Sequence, residues 1–206
     1  TYKRRPKAPF TTDTLLQAAG SKYNWRPSNT MRVAQGLYEA GHITYMRTDS
    51  TRTSASSREK AHEKIVSKWG KELLGKGVGG GKPKSGIQDA HEAIRPTDPI
   101  IELPGGLDES QARLYRLIWS RFIASQMIDS EWTSMKLQAK LETFERPLDG
   151  DTKWRVTAGW EAAFEAIQKA PATTPPKPEI LEGKAIKLDD TEENPRLIED
   201  KTKPPS

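Results

Sequence analysis

Ile43-Thr44-Tyr45-Met46-Arg47-Thr48-Asp49-Ser50-Thr51 sets a tyrosine and an arginine two residues apart in a short polar segment of β type, between two stretches that read as helices. Residues i and i+2 of a strand project to the same side, roughly 7 Å apart. A phosphate fits between a phenol and a guanidinium at that spacing. A tyrosine with its ordinary pKa of about 10 is a poor nucleophile while protonated. A fixed cation beside it favours the phenolate and stabilises the charge that develops on a phosphate under attack. These are the parts of a covalent tyrosyl–phosphate centre, although a Tyr-x-Arg pair also occurs as ordinary packing and surface contact.

The flanks supply the scaffold. Thr11 or Thr12 is placed to cap a helix through Leu15, Leu16 and Ala19 that stops near Gly20. Pro27-Ser28 opens a second helix with Met31, Ala34, Leu37 and Tyr38 on one face, ended by Gly41. Beyond the Tyr45 segment, Ser54 caps a third helix, with Ala61, Ile65, Trp69 and Leu73 at four-residue steps. Helix, helix, short strand, helix is the order of a small winged-helix-like unit. A further helix is expected from about Asp108 to Met127, with Leu114, Leu117, Ile118, Phe122 and Ile123 facing inward.

The period then changes. Met135, Leu137, Ala139 and Leu141 alternate with Lys136, Gln138 and Lys140, which predicts a half-buried strand. Lys153 to Ala158 reads as a second strand, with Asp149-Gly150 as the turn between them, and Lys184 to Leu188 as one more candidate. The extended basic segment Thr1 to Pro9 is expected to be the outgoing strand of the same β lobe. The fold class is therefore α+β, a helical winged-helix-like lobe (10–130) inserted in a smaller antiparallel β-rich lobe (1–9 and 131–206).

Composition narrows the chemistry. The 206 residues can bury a core. Thirty-three Lys and Arg against 28 Asp and Glu leave a formal charge of +5, which is compatible with a polyanionic partner. With no cysteine, disulfides and zinc–thiolate sites are excluded, and three scattered histidines make a poor metal cage. No apolar run is long enough to span a bilayer, and no signal peptide is evident near Thr1. The chain opens without Met and closes on Lys203-Pro204-Pro205-Ser206, which reads as a linker and suggests a piece of a larger protein. The glycine-rich run 75–86 is not a P-loop, because Lys76 stands where the first glycine belongs and Pro83 where Ser or Thr must hold magnesium. The six tryptophans lie in or beside periodic apolar segments and read as packing residues. His42 reads as a helix-end contact, and His62 as part of an exposed stretch with no role.

A second run carries chemistry, Asp89-Ala90-His91-Glu92-Ala93-Ile94-Arg95-Pro96-Thr97-Asp98. If Ala90 to Ile94 form a helical turn, His91 and Arg95 share a side at i and i+4. Pro96 should end the turn and splay Arg95 outward. Histidine can hydrogen-bond a phosphate or move a proton near neutral pH.

Together, Thr44 to Ser50 and Ala90 to Asp98 resemble, nearly letter for letter, two signatures of type IA DNA topoisomerases of the bacterial kind. The lead-in Pro9-Phe10-Thr11-Thr12 and the run Met31 to Gly41 look like the same family. The likeness is strong over about residues 1 to 130. It is weaker through Gly159-Trp160 and Lys201-Thr202-Lys203-Pro204-Pro205.

The resemblance implies that Tyr45 attacks a phosphodiester of single-stranded DNA, becomes joined to the 5′-phosphate and frees a 3′-hydroxyl, so that resealing needs no ATP. It places Arg47 beside the scissile phosphate and His91 on the DNA backbone. Arg95 belongs to the same motif, and its assignment to phosphate binding, like those of Arg32 and Arg52, is a further expectation. Thr48 and Asp49 are expected to shape the turn that fixes Arg47. The resemblance also implies a tyrosine-bearing gate (10–130) swinging on an arch, and a cytoplasmic, nucleoid-associated enzyme.

Two departures matter. The family holds Mg2+ on an Asp-x-Asp-x-Glu run in a Toprim domain, and no such run is present; Asp189-Asp190-Thr191-Glu192-Glu193 lacks the spacing. The domain completing the DNA groove and the zinc ribbons are also missing. No metal ligand and no cofactor is therefore expected in this chain, which is expected to be inactive alone. Two further readings stand beside the enzymatic one: a non-catalytic single-stranded DNA-binding module, and a structural hinge.

Overall fold

Side-chain capping or an N-terminal proline marks where the longer helices begin. The computed structural model describes residues 1–79, 91–139 and 148–166, all within one unit, Thr1–Pro176. Helix α1 (Thr12–Tyr23) starts from Thr11, which forms a reciprocal capping box with Thr14. It runs past Gly20 and stops at Asn24, whose φ of 55° is left-handed. The stop expected at Gly20 is thus displaced, because Asn tolerates that conformation and closes the helix by donating its N–H to the Gly20 carbonyl. Helix α2 (Pro27–Glu39) begins on proline, whose missing N–H is no loss in the first turn, and buries Thr30, Val33, Ala34 and Leu37. Helix α3 (Ala55–Trp69) is capped by Ser54 and buries Ala61 and Ile65, followed by a short 3-10 turn at Lys71–Leu73.

Helix α4 (Glu109–Ala124) is the central element. Asp108 and Gln111 form its capping box, and Leu114, Leu117, Ile118, Phe122 and Ile123 are all buried as their spacing predicts. The regular helix ends at Ala124, short of the expected Met127, and the chain tightens there: Gln126 donates to the Ile123 carbonyl and Met127 to that of Ala124. Phe10, Leu15, Leu37, Met46, Ile65 and Trp119 close the same core around α4. Each fully buried side chain of this size contributes on the order of 1.5–3 kcal/mol. Of the tryptophans only Trp119 is fully buried, its indole N–H donating to the Pro99 carbonyl; Trp25, Trp69 and Trp160 pack at the core's edge.

The sheet has three antiparallel strands in the order β1-β2-β3: β1 (Tyr2–Arg4), β2 (Ser130–Ala139) and β3 (Leu148–Thr157). Tyr2 lies opposite Trp132 and Arg4 opposite Ser130, so the chain leaves through β1, builds the helices, and returns alongside as β2. Asp149-Gly150 is not the turn expected of it. Gly150 pairs with Leu137 inside the β2–β3 ladder, and the connection falls in 140–147, outside the described residues. The candidate strand Lys184 to Leu188 also lies outside them.

A short helix α5 (Glu161–Glu165) seats the sheet on α4 by burying Ala162 and Ala163. Gly159 makes the approach possible. Its φ is 50°, and a Cβ there would come within 2.3 Å of the Asp129 carbonyl oxygen.

Candidate functional site

The two motif runs meet in an irregular platform tied together by backbone hydrogen bonds. Ile94 donates its N–H to the Phe10 carbonyl at 2.8 Å, Ala93 to Arg52 at 2.8 Å, and Thr97 to His42 at 3.0 Å. Thr44 donates its N–H to the Arg95 carbonyl at 2.9 Å, while its hydroxyl donates to Ala93 and accepts from the Arg95 N–H. The stretch Ala93–Thr97 is therefore extended between Phe10 and His42–Thr44, with isolated bridges Phe10 to Ile94 and Ile43 to Pro96. The helical turn expected here does not form over the described residues. The amides that would close it are bonded across the chain instead.

The Tyr45 segment is likewise not a strand. Only Ile43 makes a bridge, and the chain then turns to the start of α1. There the Thr12 N–H donates to the Thr48 carbonyl at 2.9 Å. The Thr12 hydroxyl lies 2.8 Å from the Met46 carbonyl and accepts from the Thr48 N–H at 2.9 Å. The period-2 pattern survives without a ladder: Met46, Thr48 and Ser50 are buried, Arg47 and Asp49 exposed. Ser50 donates its N–H to the Thr48 hydroxyl, so Thr48 does shape the turn after Arg47. Arg121 holds the other side, donating Nε to the Ala8 carbonyl at 2.7 Å with its guanidinium 4.6 Å above the Phe10 ring. Burial lowers the Arg121 pKa from its usual value.

On this platform the half-buried Tyr45 ring lies 5.1 Å from the ring of His91, which is exposed. Its other neighbour is Tyr38, at 5.4 Å and 69°, edge to face. Tyr38 was not among the site residues expected from the sequence. It was expected on the buried face of α2 and is instead 40% exposed. Its only sequence signal is an aromatic residue directly after the core Leu37 at the end of a helix.

The cations divide into two groups. Arg47 is exposed, and Arg32 is exposed with Nη2 donating to Asn29 Oδ1 at 2.9 Å. Arg95 does not splay outward; its side chain is 12% exposed, with Nε donating to Glu92 at 2.7 Å and Nη1 to the Pro96 carbonyl. Arg52 is half-buried, and its backbone carbonyl receives Ala93. His62, expected to be exposed, is half-buried on α3. Among the described residues no group of three or more His, Cys, Asp or Glu side chains is placed to hold a metal ion. No described helix is long and apolar enough to cross a membrane. A cleft of about 450 Å³ between the sheet and residues 75–78, lined in part by Lys3, Lys76, Asp129 and Glu131, does not include Tyr45.

A phenol thus lies beside an imidazole, with an exposed guanidinium two residues on, on a helical unit. The chain belongs to the DNA topoisomerase family, whose sequence pattern it matches over residues 1–206, of the bacterial type IA kind. It is 44% identical over 142 residues to DNA topoisomerase 1 of Mycolicibacterium smegmatis, covering 66% of this chain and 15% of that one. The figures for DNA topoisomerase 1 of Thermotoga maritima are 35% over 205 residues, 94% and 32%. For that of Pseudomonas aeruginosa they are 38% over 191 residues, 89% and 21%. The fold is similar to full-length topoisomerase I from Thermotoga maritima, with a TM-score of 0.68 at 34% identity, over 87% of this chain and 30% of that one. The chain thus spans a third or less of each of these relatives' length.

Proposed function

We propose that this chain supplies the tyrosine-bearing gate (10–130) and part of the arch (1–9 and 131–206) of a type IA DNA topoisomerase. The enzyme relaxes negatively supercoiled DNA without ATP by cutting one strand, passing another and resealing. The observation that carries this reading is the contact of Tyr45 with His91, two motif residues far apart in sequence, with Arg47 exposed two residues on from Tyr45.

In the proposed step the Tyr45 oxygen forms a bond to phosphorus as the bond to the 3′ oxygen breaks. The net proton transfer runs from the phenol to the departing 3′-hydroxyl. Arg47 offsets the charge on the phosphoryl oxygens, and His91 holds the adjoining backbone. Arg32 and Arg52 are further contacts to the single strand. Arg95 joins them only by exchanging Glu92 for a phosphate. Magnesium belongs to the longer enzyme's Toprim domain. That domain and the one completing the groove are its partners, in a cytoplasmic, nucleoid-associated setting.

The test is a covalent adduct with single-stranded oligonucleotide. This chain by itself is expected to give none at a useful rate. Supplied with the partner domains and magnesium it is expected to give a phosphotyrosyl product, and Tyr45→Phe to abolish it. An adduct that persists in Tyr45→Phe overturns the assignment.

A further inference from the structure

We propose that Tyr38 is a substrate-positioning residue, a stacking platform for a base of the same strand whose phosphate meets Tyr45. The inference rests on the reading of Tyr45 as a DNA-facing residue and adds a base-binding group to it. Three observations carry it. Tyr38 is 40% exposed although it is a large aromatic at the end of an amphipathic helix whose Val33 and Leu37 are buried and whose Met31 is partly buried. It stands directly against Tyr45, with 5.4 Å between ring centroids. The third ring, His91, meets Tyr45 at 5.1 Å, so Tyr45 has two aromatic neighbours, one an imidazole and one a phenol with a large ring face.

The spacing suits a nucleotide. A stacked strand advances about 3.4 Å per nucleotide, and more when it is pulled straight. A ring 5.4 Å from Tyr45 therefore reaches the base one or two nucleotides from the phosphate in contact with the phenol. Aromatic faces hold single-stranded bases by stacking, with little dependence on base identity. An edge-to-face pair leaves ring surface uncovered by its neighbour, and Tyr38 as a whole is well exposed. Phosphate contacts fix the register of a strand, whereas a stacked base also fixes the rotation of the nucleotide about its backbone. Tyr38 would thus present the scissile phosphate to Tyr45 in one orientation.

The experiment measures binding of a fluorescent oligothymidylate to the chain at several salt concentrations, for the unaltered protein and for Tyr38→Phe and Tyr38→Leu. Leucine keeps the apolar packing on Tyr45 and removes the aromatic face; phenylalanine keeps the face and removes the hydroxyl. The proposal expects Tyr38→Phe to bind as the unaltered chain does. It expects Tyr38→Leu to lose about fivefold or more in affinity, with the salt slope unchanged. Equal affinity of Tyr38→Leu and the unaltered chain overturns the platform and leaves the reading of Tyr45 intact. A changed salt slope in Tyr38→Leu also overturns it, since the substitution would then have disturbed cation–phosphate contacts rather than a stacked base. Absence of any salt-dependent binding by the unaltered chain overturns the platform together with the DNA-facing reading beneath it.

Discussion

The platform under Tyr45 and the sheet end of the molecule are held by opposite means. Around Tyr45 the chain has almost no regular structure, yet Phe10, Ile43, Met46 and Ile94 are each 1% exposed or less. Key backbone groups there are bonded to other backbone groups or to the hydroxyls of Thr12, Thr44, Thr48 and Ser50. At the sheet end the backbone is regular, and the side-chain links are charged. Glu161 accepts from Ser130 and Trp132 and pairs with Arg155 and Arg4; Arg155 also pairs with Glu165. The hydrogen bond to Glu165 leads the causes that raise the Arg155 pKa, against the opposing effect of burial. Regular secondary structure and rigidity are thus separable. An irregular segment is fixed when its amides are buried and bonded, while a sheet edge held by ion pairs responds to salt and charge.

The contrast breaks most severely in the shared core. Trp119→Ala removes a fully buried indole and its bond to Pro99. It is expected to cost about 3–5 kcal/mol in denaturant unfolding, loosening platform and α3 alike. Next comes the platform itself. Thr12→Val keeps the side-chain shape but leaves the Met46 carbonyl and Thr48 N–H without their hydroxyl partner. A loss of about 1–3 kcal/mol is expected, with shifted Tyr45 and His91 resonances and an unmoved β2–β3 ladder. If those resonances stay put, the Thr12 hydroxyl does not position Tyr45.

Glu161→Gln should act the other way round. About 1–2 kcal/mol is expected from the loss of its charge-assisted bonds, and stability should become less sensitive to added salt while the Tyr45 region is unperturbed. The smallest effects concern pH. Burial tends to raise the Glu102 pKa, but the bonds and charges of Lys68 and Lys64 outweigh it and hold it below the usual value. A depressed carboxyl stabilises the fold above its unfolded pKa and loses that contribution as pH falls through the folded value. For pairs this exposed it amounts to about 0.2–1 kcal/mol, and Glu102→Gln should flatten the acid limb.

Tyr115 has the opposite sign. Burial, with Asp98 adding, raises its pKa, and its hydroxyl donates to the Ile101 carbonyl. Its contribution is complete below the ordinary tyrosine value of 10.0 and is lost as pH climbs through the raised one. The alkaline limb should flatten in Tyr115→Phe, as read by thermal melts across the pH range.

The sequence by itself determined the parts governed by near neighbours. Thr11, Pro27, Ser54 and Asp108 mark helix starts, because capping involves residues within three positions. The inward face of α4 follows from a 3.6-residue period, and the alternation from Met135 from a period of two. The motif runs named Tyr45, Arg47 and His91, and with them the family. Only the tertiary structure decided that Tyr45 leaves Ile43 for Thr12 and that Ala93–Thr97 is extended. It alone turned Arg95 inward to Glu92 and set Tyr38 against Tyr45. Each of these depends on which distant group satisfies a given amide or faces a given ring. Local propensity is silent on that choice, because the partners are brought together by burial of the common core rather than by their place along the chain.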